Sequence, residues 1–445
     1  MRVALESALR EAVRTGRLGG GVRLPSSRAL AGDLGISRNT IAAAYGQLGA
    51  EGWLTARQGS GTQVAHRAVA VEAPSAPATP DASRVRYDLS AGSPDLATFP
   101  RAGWLAAARR ALGAAPAEAM GYGDPRGRSE LRRALADYLA RARGVYADPD
   151  CVVICSGFAQ GLALLCQTLH AGGATSVVTE SYGHQSHRDA VAVSGLRLTS
   201  VPVDAEGAVV RQFGDADAAL LTPAHQFPLG PALVAERRTQ AVEWAHVTGG
   251  LIIEDDYDGE FRYDRQPVGA MQALAPEHVV YAGTASKSLA PGLRLGWLVL
   301  PGRLIADTVA LKVLTGGPSA LDQLTMAEFI ASGAYDRHVR RSRLAYRERR
   351  DKLVVMLERQ VPEVRTTGIV AGLHVVVELP AGQREDDVVA RARRQGLQIE
   401  GLGAYSATGN GHNPALVVGY ATPPEHAFDG AIATLCAVLA RAASA

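Results

Sequence analysis

Lys287 stands in the stretch GTASKSLAPGLRLGW (283–297), in a chain whose 46 basic residues include lysine only at 287, 312 and 352. The apolar run VVYAGT precedes it, and a loop with Pro291 and two glycines follows. A lysine at the end of a buried strand loses hydration. That lowers its pKa and frees a neutral amine able to form a Schiff base with an aldehyde. Arginine, always charged, cannot take that part. Thr284 and Ser286 bring hydroxyls alongside, and Arg294, seven residues on, has the fork geometry that grips a phosphate.

A phosphorylated aldehyde is therefore the ligand these groups would take, and pyridoxal 5′-phosphate (PLP) is the cofactor of that description. PLP needs a carboxylate to keep its pyridine nitrogen protonated, so that the ring withdraws electrons. LIIEDDYDGEF ends an apolar run and offers Asp255 and Tyr257, two apart and so on one face of a strand. From there they could reach the ring nitrogen and the ring's O3′ together. Asp256 points the other way and is the second choice. SGFAQG closes one strand and opens a helix, so Ser156, Gly157, Phe158, Ala159 and Gln160 could receive the phosphate at a helix N-terminus. Tyr182, in ESYGHQ, could stack on the ring. His225 and Gln226, in TPAHQFPLG, lie at another strand end and could touch its O3′ side. Singly, each has a plainer reading: a solvated lysine, a loop-capping or metal-binding Asp pair, a core tyrosine. Their order along the chain favours one joint site.

These residues need elements to position them. After residue 86, short apolar runs alternate with helical stretches: CVVICS then FAQGLALLCQTLH, SVVTE then a helix, ALLTP, GLIIEDDYD, VVYAGT. That alternation predicts an α/β fold of parallel βαβ units with helices on both faces of a sheet. Residues 66–86, rich in Ala, Pro and Ser, predict a flexible linker. The expected organisation is a small domain over 1–65, the linker, and a larger domain over 87–445. Residues 1–65 carry eight arginines and four acids, whereas the rest carries 38 basic residues against 40 acidic ones. On that count only the first part touches a polyanion.

In the first part, Leu5, Leu9 and Val13 mark one helix face. Ser26 or Ser27 caps a second helix bearing Leu30 and Leu34 and closed by Gly35. Ser37 caps a third, with Ile41, Tyr45 and Leu48 inward. Two helices about a tight glycine turn form a helix-turn-helix, the motif that reads double-stranded DNA. Arg38, Asn39 and Thr40 fall in the first turn of the third helix, where Arg can pair with guanine and Asn with adenine. Trp53–Arg57 and Thr62–Ala65 predict a two-stranded wing joined by QGSG, free to lie along phosphates. Arg28, Ser37, Arg57, Gly59 and Ser60 join the DNA-contact set.

LPSSRALAGDLGISRNTI through EGWLTARQGSGT resembles the winged helix of GntR-type bacterial regulators. From about residue 88 the chain resembles fold-type I aminotransferases, most specifically in GYGDPRG, TPAHQFPLG, IIEDDYDGEFRYD and TASKSLAPGLRLGW. The combination resembles the MocR/GabR subfamily of GntR regulators. The resemblance implies a winged helix, a linker, and a PLP-binding aminotransferase-like domain with a smaller C-terminal α+β subdomain. It also implies a head-to-tail homodimer in which Tyr122 reaches the phosphate of the neighbouring subunit's site. One position departs from aminotransferases: the segment PALVVGYAT carries Val417 where an arginine would grip a substrate carboxylate. The reading is therefore a transcription regulator, with no residue assigned to catalysis. Its effector would be PLP itself or an amine such as GABA, taurine or a D-amino acid. The competing reading is a working aminotransferase with a DNA-binding appendage. No apolar run is long enough to cross a membrane and the start does not read as a signal peptide. Four cysteines suggest neither a disulfide framework nor a metal site, so a cytoplasmic, nucleoid-associated protein is expected.

Overall fold

The computed structural model describes residues 1–57, 61–66, 85–263, 268–409 and 413–440. Gly59 and Ser60, and the linker apart from its ends, lie outside the described residues. The chain divides into two compact units, Met1–Ala82 and Ser83–Ala445.

The first unit is built by its caps. Helix α1 (Arg2–Arg14) is followed by α2 (Ser27–Leu34), whose Ser26 hydroxyl accepts from the Ala29 amide at 3.2 Å. Gly35 ends α2 in the left-handed region at φ 62°. Helix α3 (Arg38–Ala50) starts where Ser37 accepts from the Thr40 amide at 3.2 Å. Strands β1 (Leu54–Arg57) and β2 (Gly61–Val64) pair antiparallel as the wing, with Leu54 opposite Val64. Ile41, Tyr45, Leu48, Leu54 and Val64 form the core, and Leu5, Leu9 and Val13 pack on it. Leu34 departs from expectation. It is 50% exposed, because α2 turns the small Ala31 inward and so sits close against α3.

The second unit opens with β3 (Tyr87–Asp88), α4 (Arg101–Ala114), α5 (Ser129–Arg143), β4 (Val152–Cys155) and α6 (Phe158–Ala171). Next come β5 (Ser176–Glu180), α7 (Gln185–Val193), β6 (Arg197–Val201), a hairpin of β7 (Val203–Asp204) and β8 (Gly207–Ala208), β9 (Ala218–Leu221), α8 (Ala235–Thr248) and β10 (Leu251–Asp255). Strands β11 (Val279–Thr284) and β12 (Gly296–Val299) precede α9 (Gly302–Thr315), α10 (Ala320–Ala331) and the long α11 (Ala334–Gln360). The last part holds β13 (Arg365–Thr367), β14 (His374–Glu378), α12 (Glu385–Arg394), β15 (Leu397–Gln398), β16 (Glu400–Gly401), β17 (Ala415–Gly419) and α13 (Glu425–Ala440).

Seven strands form the main sheet in the order β4-β12-β11-β10-β9-β5-β6. All run parallel except β12, which is antiparallel to both neighbours. The exception has a simple cause. Only residues 285–295 join β11 to β12, too few for a helical crossover, so the chain turns straight back. Apolar side chains of alternate residues pack the two faces: Val152 and Ile154 on one, Val153 and Cys155 on the other. Cys151 does not share the face of Cys155, although CVVIC spaces the two for one face of a strand. It lies instead in the helical turn before β4, half-buried, against the first of these clusters.

A smaller four-stranded sheet, β13-β14-β17-β16, packs with α12, α13 and the later turns of α11 around Leu353, Leu357, Val377, Val418 and Leu435. Strand β3 pairs parallel with β15, so the first residues of the unit belong to this C-terminal subdomain. The fold is α/β, with the smaller α+β subdomain that the sequence led one to expect.

Candidate functional site

Strands β4, β5, β9, β10 and β11 all point their carboxyl ends to the same edge of the sheet, and antiparallel β12 begins there. That edge is where open α/β sheets bind ligands. It holds a cavity of about 280 Å³ whose wall includes Phe158, Tyr182, Asp255, Tyr257, Thr284, Ser286, Lys287 and Arg294. The tight β11–β12 connection explains how Lys287 and Arg294 both reach it: one leaves β11 while the other enters β12.

Lys287 is nearly enclosed. Burial lowers its pKa from the ordinary lysine value, while Asp255 and Asp258 partly oppose the shift. Its Nζ donates to the carbonyl of Gly92. Asp255, at the end of β10, is 4% exposed, and its Oδ1 is buried without a hydrogen-bond partner. Burial raises its pKa well above the carboxylate range, against the pull of Lys287. An unsatisfied buried acceptor costs on the order of 1–3 kcal/mol, so its place on a cavity wall calls for a donor from a ligand. Asp256 faces away from the cavity and is locked to Arg143 at 2.6 Å and to the Tyr281 hydroxyl at 2.8 Å.

Tyr257 lines the cavity and its hydroxyl lies 3.0 Å from His225 Nδ1, which in turn is 2.7 Å from Asp258 Oδ2. His225 and Gln226 were expected at the wall but stand behind it. His225 holds the Tyr257 phenol, and Gln226 donates to the carbonyls of Tyr182 and Phe227. Phe227 takes the wall position instead. The cause is local, since the turn after β9 folds the two polar side chains into buried hydrogen bonds.

The other end of the cavity suits a phosphate. Gly157 precedes α6 with φ 87°, a left-handed conformation that favours glycine, and no side chain caps the helix. The first amides of α6, from Phe158 to Gln160, thus lack intrahelical partners. A Cβ on Gly157 would lie 3.5 Å from the Arg294 guanidinium, which lies over this turn. Arg294 itself has φ 51°, the one described non-glycine residue with positive φ. Such a backbone marks a position where placing a side chain outweighs local preference. The Thr284 and Ser286 hydroxyls, 2.9 Å apart, complete the cradle. The Ser156 amide is taken by Gln160 Oε1 at 2.6 Å, and the Gln160 amide group by Thr315 and Gly316. Those two residues shape the turn from outside the wall.

Sequence reasoning passed over the histidines of ESYGHQSHR. Tyr182 is half-buried on the wall, but His184 lies there too, stacked on Phe227 at 4.2 Å and 15°. His187 sits 5.2 Å further on. Burial lowers His184 to about 4 and His187 to about 3, so both are neutral. Glu180 was also passed over. It is buried, pushed up to about 7 by desolvation, and held by Thr222 at 2.5 Å. The signal for all three was present: polar residues at the end of a strand already named as part of the site. Tyr122 is fully exposed and does not line its own chain's cavity. Among the described residues no cluster could hold a metal ion.

In the first unit, Arg28, Ser37, Arg38 and Asn39 are exposed and Thr40 is half-buried, its hydroxyl 2.9 Å from that of Ser37. Arg57 closes β1, opposite Gly61.

Comparison with known proteins agrees with both halves. Residues 2–64 match the bacterial regulatory proteins, gntR family, and residues 86–387 match aminotransferase class I and II. The pyridoxine biosynthesis transcriptional regulator PdxR of Corynebacterium glutamicum is 35% identical over 95% of this chain and 92% of its own length. The probable rhizopine catabolism regulatory protein MocR of Rhizobium meliloti is 32% identical, over 90% and 86%. The regulator TauR of Rhodobacter capsulatus is 32% identical, over 89% and 87%. Among solved structures, an archaeal alanine:glyoxylate aminotransferase superposes with a TM-score of 0.73 at 26% identity, covering 80% of this chain and 91% of that one. LysN, the α-aminoadipate aminotransferase of Thermus thermophilus, gives 0.72 at 25%, over 81% and 93%. A winged helix joined to an aminotransferase fold, with relatives that match about nine-tenths of the chain, places this protein in the MocR/GabR subfamily of GntR-type transcription regulators.

Proposed function

We propose that this regulator holds PLP on Lys287 and that PLP, or a small amine captured through it, sets how the protein engages its operator. The observation that carries the reading is Asp255 Oδ1, a buried acceptor with no partner, on the same wall as the enclosed amine of Lys287. When bound, PLP supplies an electrophilic aldehyde and a protonated ring that withdraws electrons. The chain's residues supply the rest. Asp255 holds the proton on the ring nitrogen, Tyr257, backed by His225, faces O3′, and Arg294 with the α6 amides, Thr284 and Ser286 binds the phosphate. Tyr182 and His184 cover the ring. Tyr122, exposed on its own chain, serves the phosphate site of a second copy in a head-to-tail dimer.

The cavity favours sensing over turnover. Val417 is buried in β17, packed with Phe227, Tyr257 and Val376, where it offers a carboxylate nothing. Two arginines line the wall. Arg294 belongs to the phosphate end, and Arg188 donates to Gln185 and to the carbonyls of Gly183 and Tyr405. Losing a bidentate grip costs an α-amino acid much of its affinity. PLP itself is therefore the favoured effector, and PdxR, named for pyridoxine biosynthesis, lends that weight. The intact Lys287, Asp255 and Tyr257 keep residual aminotransferase chemistry in view.

On this reading Arg38, Asn39 and Thr40 meet bases, while Arg28 and the wing with Arg57, Gly59 and Ser60 meet phosphates, in cytoplasmic, nucleoid DNA. The test is binding to DNA from the gene's own upstream region at one salt concentration, with PLP-loaded and PLP-stripped protein. A change in affinity or footprint with PLP makes the cofactor the signal. Specific binding unchanged by PLP moves the search to amines. Multiple turnovers between an amino acid and a keto acid, without operator preference, would restore the enzyme.

A further inference from the structure

Behind the Tyr257 phenol stand His225, from the turn after β9, and Asp258, from the turn after β10. Both are buried and neither is on the cavity wall. The fold makes room for this pair. Gly372, just ahead of β14 in the smaller subdomain, has φ 78°, and a Cβ there would lie 2.2 Å from His225 Cε1 and 2.7 Å from Asp258 Oδ2. Only glycine lets the backbone close over the two side chains. His374, two residues on, has its ring 5.4 Å from that of His225. Burial lowers it to about 3, so it is neutral, and its Nε2–H donates to the Pro228 carbonyl at 2.9 Å. Asp255 and Glu180 also face the phenol.

One ring nitrogen thus meets two oxygens. His225 Nδ1 is 2.7 Å from Asp258 Oδ2 and 3.0 Å from the Tyr257 oxygen. A carboxylate can only accept, so the shorter contact requires a proton on Nδ1, donated to Asp258. A nitrogen that carries a proton cannot accept one, so Tyr257 has no acceptor in His225. The phenol keeps its own proton, because burial and the charges of Asp258 and Asp255 hold it well above the ordinary phenol value. It also reaches Asp258, but Oδ2 there already receives the His225 N–H.

We propose that Asp258 is a positioning residue for the cofactor: by keeping the proton on His225 Nδ1, it denies the Tyr257 phenol an inward acceptor and leaves the phenol proton for O3′ of PLP. The inference rests on the PLP reading above and adds to it a residue that does not line the cavity. An oxygen that receives this hydrogen bond holds less charge toward the neighbouring Schiff-base nitrogen. The proton on that nitrogen therefore comes off at lower pH.

The experiment follows the Schiff-base absorption band of full-length, PLP-loaded protein across pH. Its midpoint should rise by about one pH unit in Asp258→Asn, where the amide can turn its N–H to the ring and let Nδ1 accept from the phenol. His225→Phe should raise it as well, since Asp258 then takes the phenol proton, and Tyr257→Phe sets the full size of the effect. Loss of charge alone predicts the opposite sign. Against the effect of burial, Asp258 favours the charged amine of Lys287, so removing its charge would lower the midpoint. Added to Tyr257→Phe, Asp258→Asn should bring no further rise, because its influence passes through the phenol. A midpoint that falls or stays in Asp258→Asn, or rises again in the double variant, overturns the proposal. If Asp258→Asn does not fold, the midpoint of His225→Phe decides in the same way. If wild-type protein shows no band with PLP, the PLP reading fails. A band with an unmoved midpoint sinks the role of Asp258 alone.

Discussion

At the scale of single residues, the site is a set of groups kept in unfavourable conditions by the fold around them. Asp255 is the clearest case. Burial already disfavours its charged form, and Asp255→Asn keeps a neutral group of the same shape, so PLP-free protein should melt at the same temperature or higher. PLP affinity should fall about 10-fold or more, since a hydrogen bond to a charged group contributes roughly 1.5–3 kcal/mol. Loss of stability with PLP binding intact would remove Asp255 from the ring nitrogen. Lys287→Ala should abolish the Schiff-base absorption band while far-UV circular dichroism stays the same, and a retained band would point to another amine. Glu180 makes a prediction about pH. Its folded pKa is about 7 against 4.5 when unfolded, so the folded state binds the extra proton between those values. Stability contributed by this group is complete below about pH 4.5 and is lost as pH rises through 7, by on the order of 3 kcal/mol. In PLP-free protein, Glu180→Gln should flatten the decline in Tm between pH 5 and 8. An unchanged decline would assign it to other buried acids such as Glu254 and Glu260, which burial also pushes up to about 7.

At the scale of elements, caps and strand ends decide what functions. Ser37→Ala should remove the cap from α3, at a cost of about 1 kcal/mol, and displace the turn that carries Arg38 and Asn39. Faster amide exchange at the start of α3 and weaker operator binding should appear together, and operator binding without loss would limit Ser37 to a stability role. These elements were also the most legible part of the sequence. The run-turn-helix pattern placed the phosphate cradle, the Asp255–Tyr257 pair and the Lys287–Arg294 loop at strand ends, because buried parallel strands are continuous apolar runs. What strand spacing does not encode is which side of a turn a side chain takes. His225 and Gln226 were assigned to the wall but lie behind it, and Phe227 and His184 are at the wall without having been named. Nor does local pattern record strand direction. The reversal of β12 follows from a short connection, and that reversal is what brings Arg294 over Gly157.

At the scale of the whole molecule, two functions share one chain and can be separated by experiment. Arg38→Ala should weaken binding to the operator far more than to random DNA, because a base-edge contact contributes to discrimination. Equal losses on both would move Arg38 to the phosphates. The pairing of β3 with β15 has one more consequence. The chain coming from the DNA-binding unit is moored in the C-terminal subdomain, beside β15, and not in the main sheet. Four residues past that mooring, the carbonyl of Gly92 meets the amine of Lys287. The mooring and the cofactor amine thus stand at the two ends of one short stretch, residues 88–92. Any shift of β15 relative to Lys287 must therefore be absorbed within those few residues.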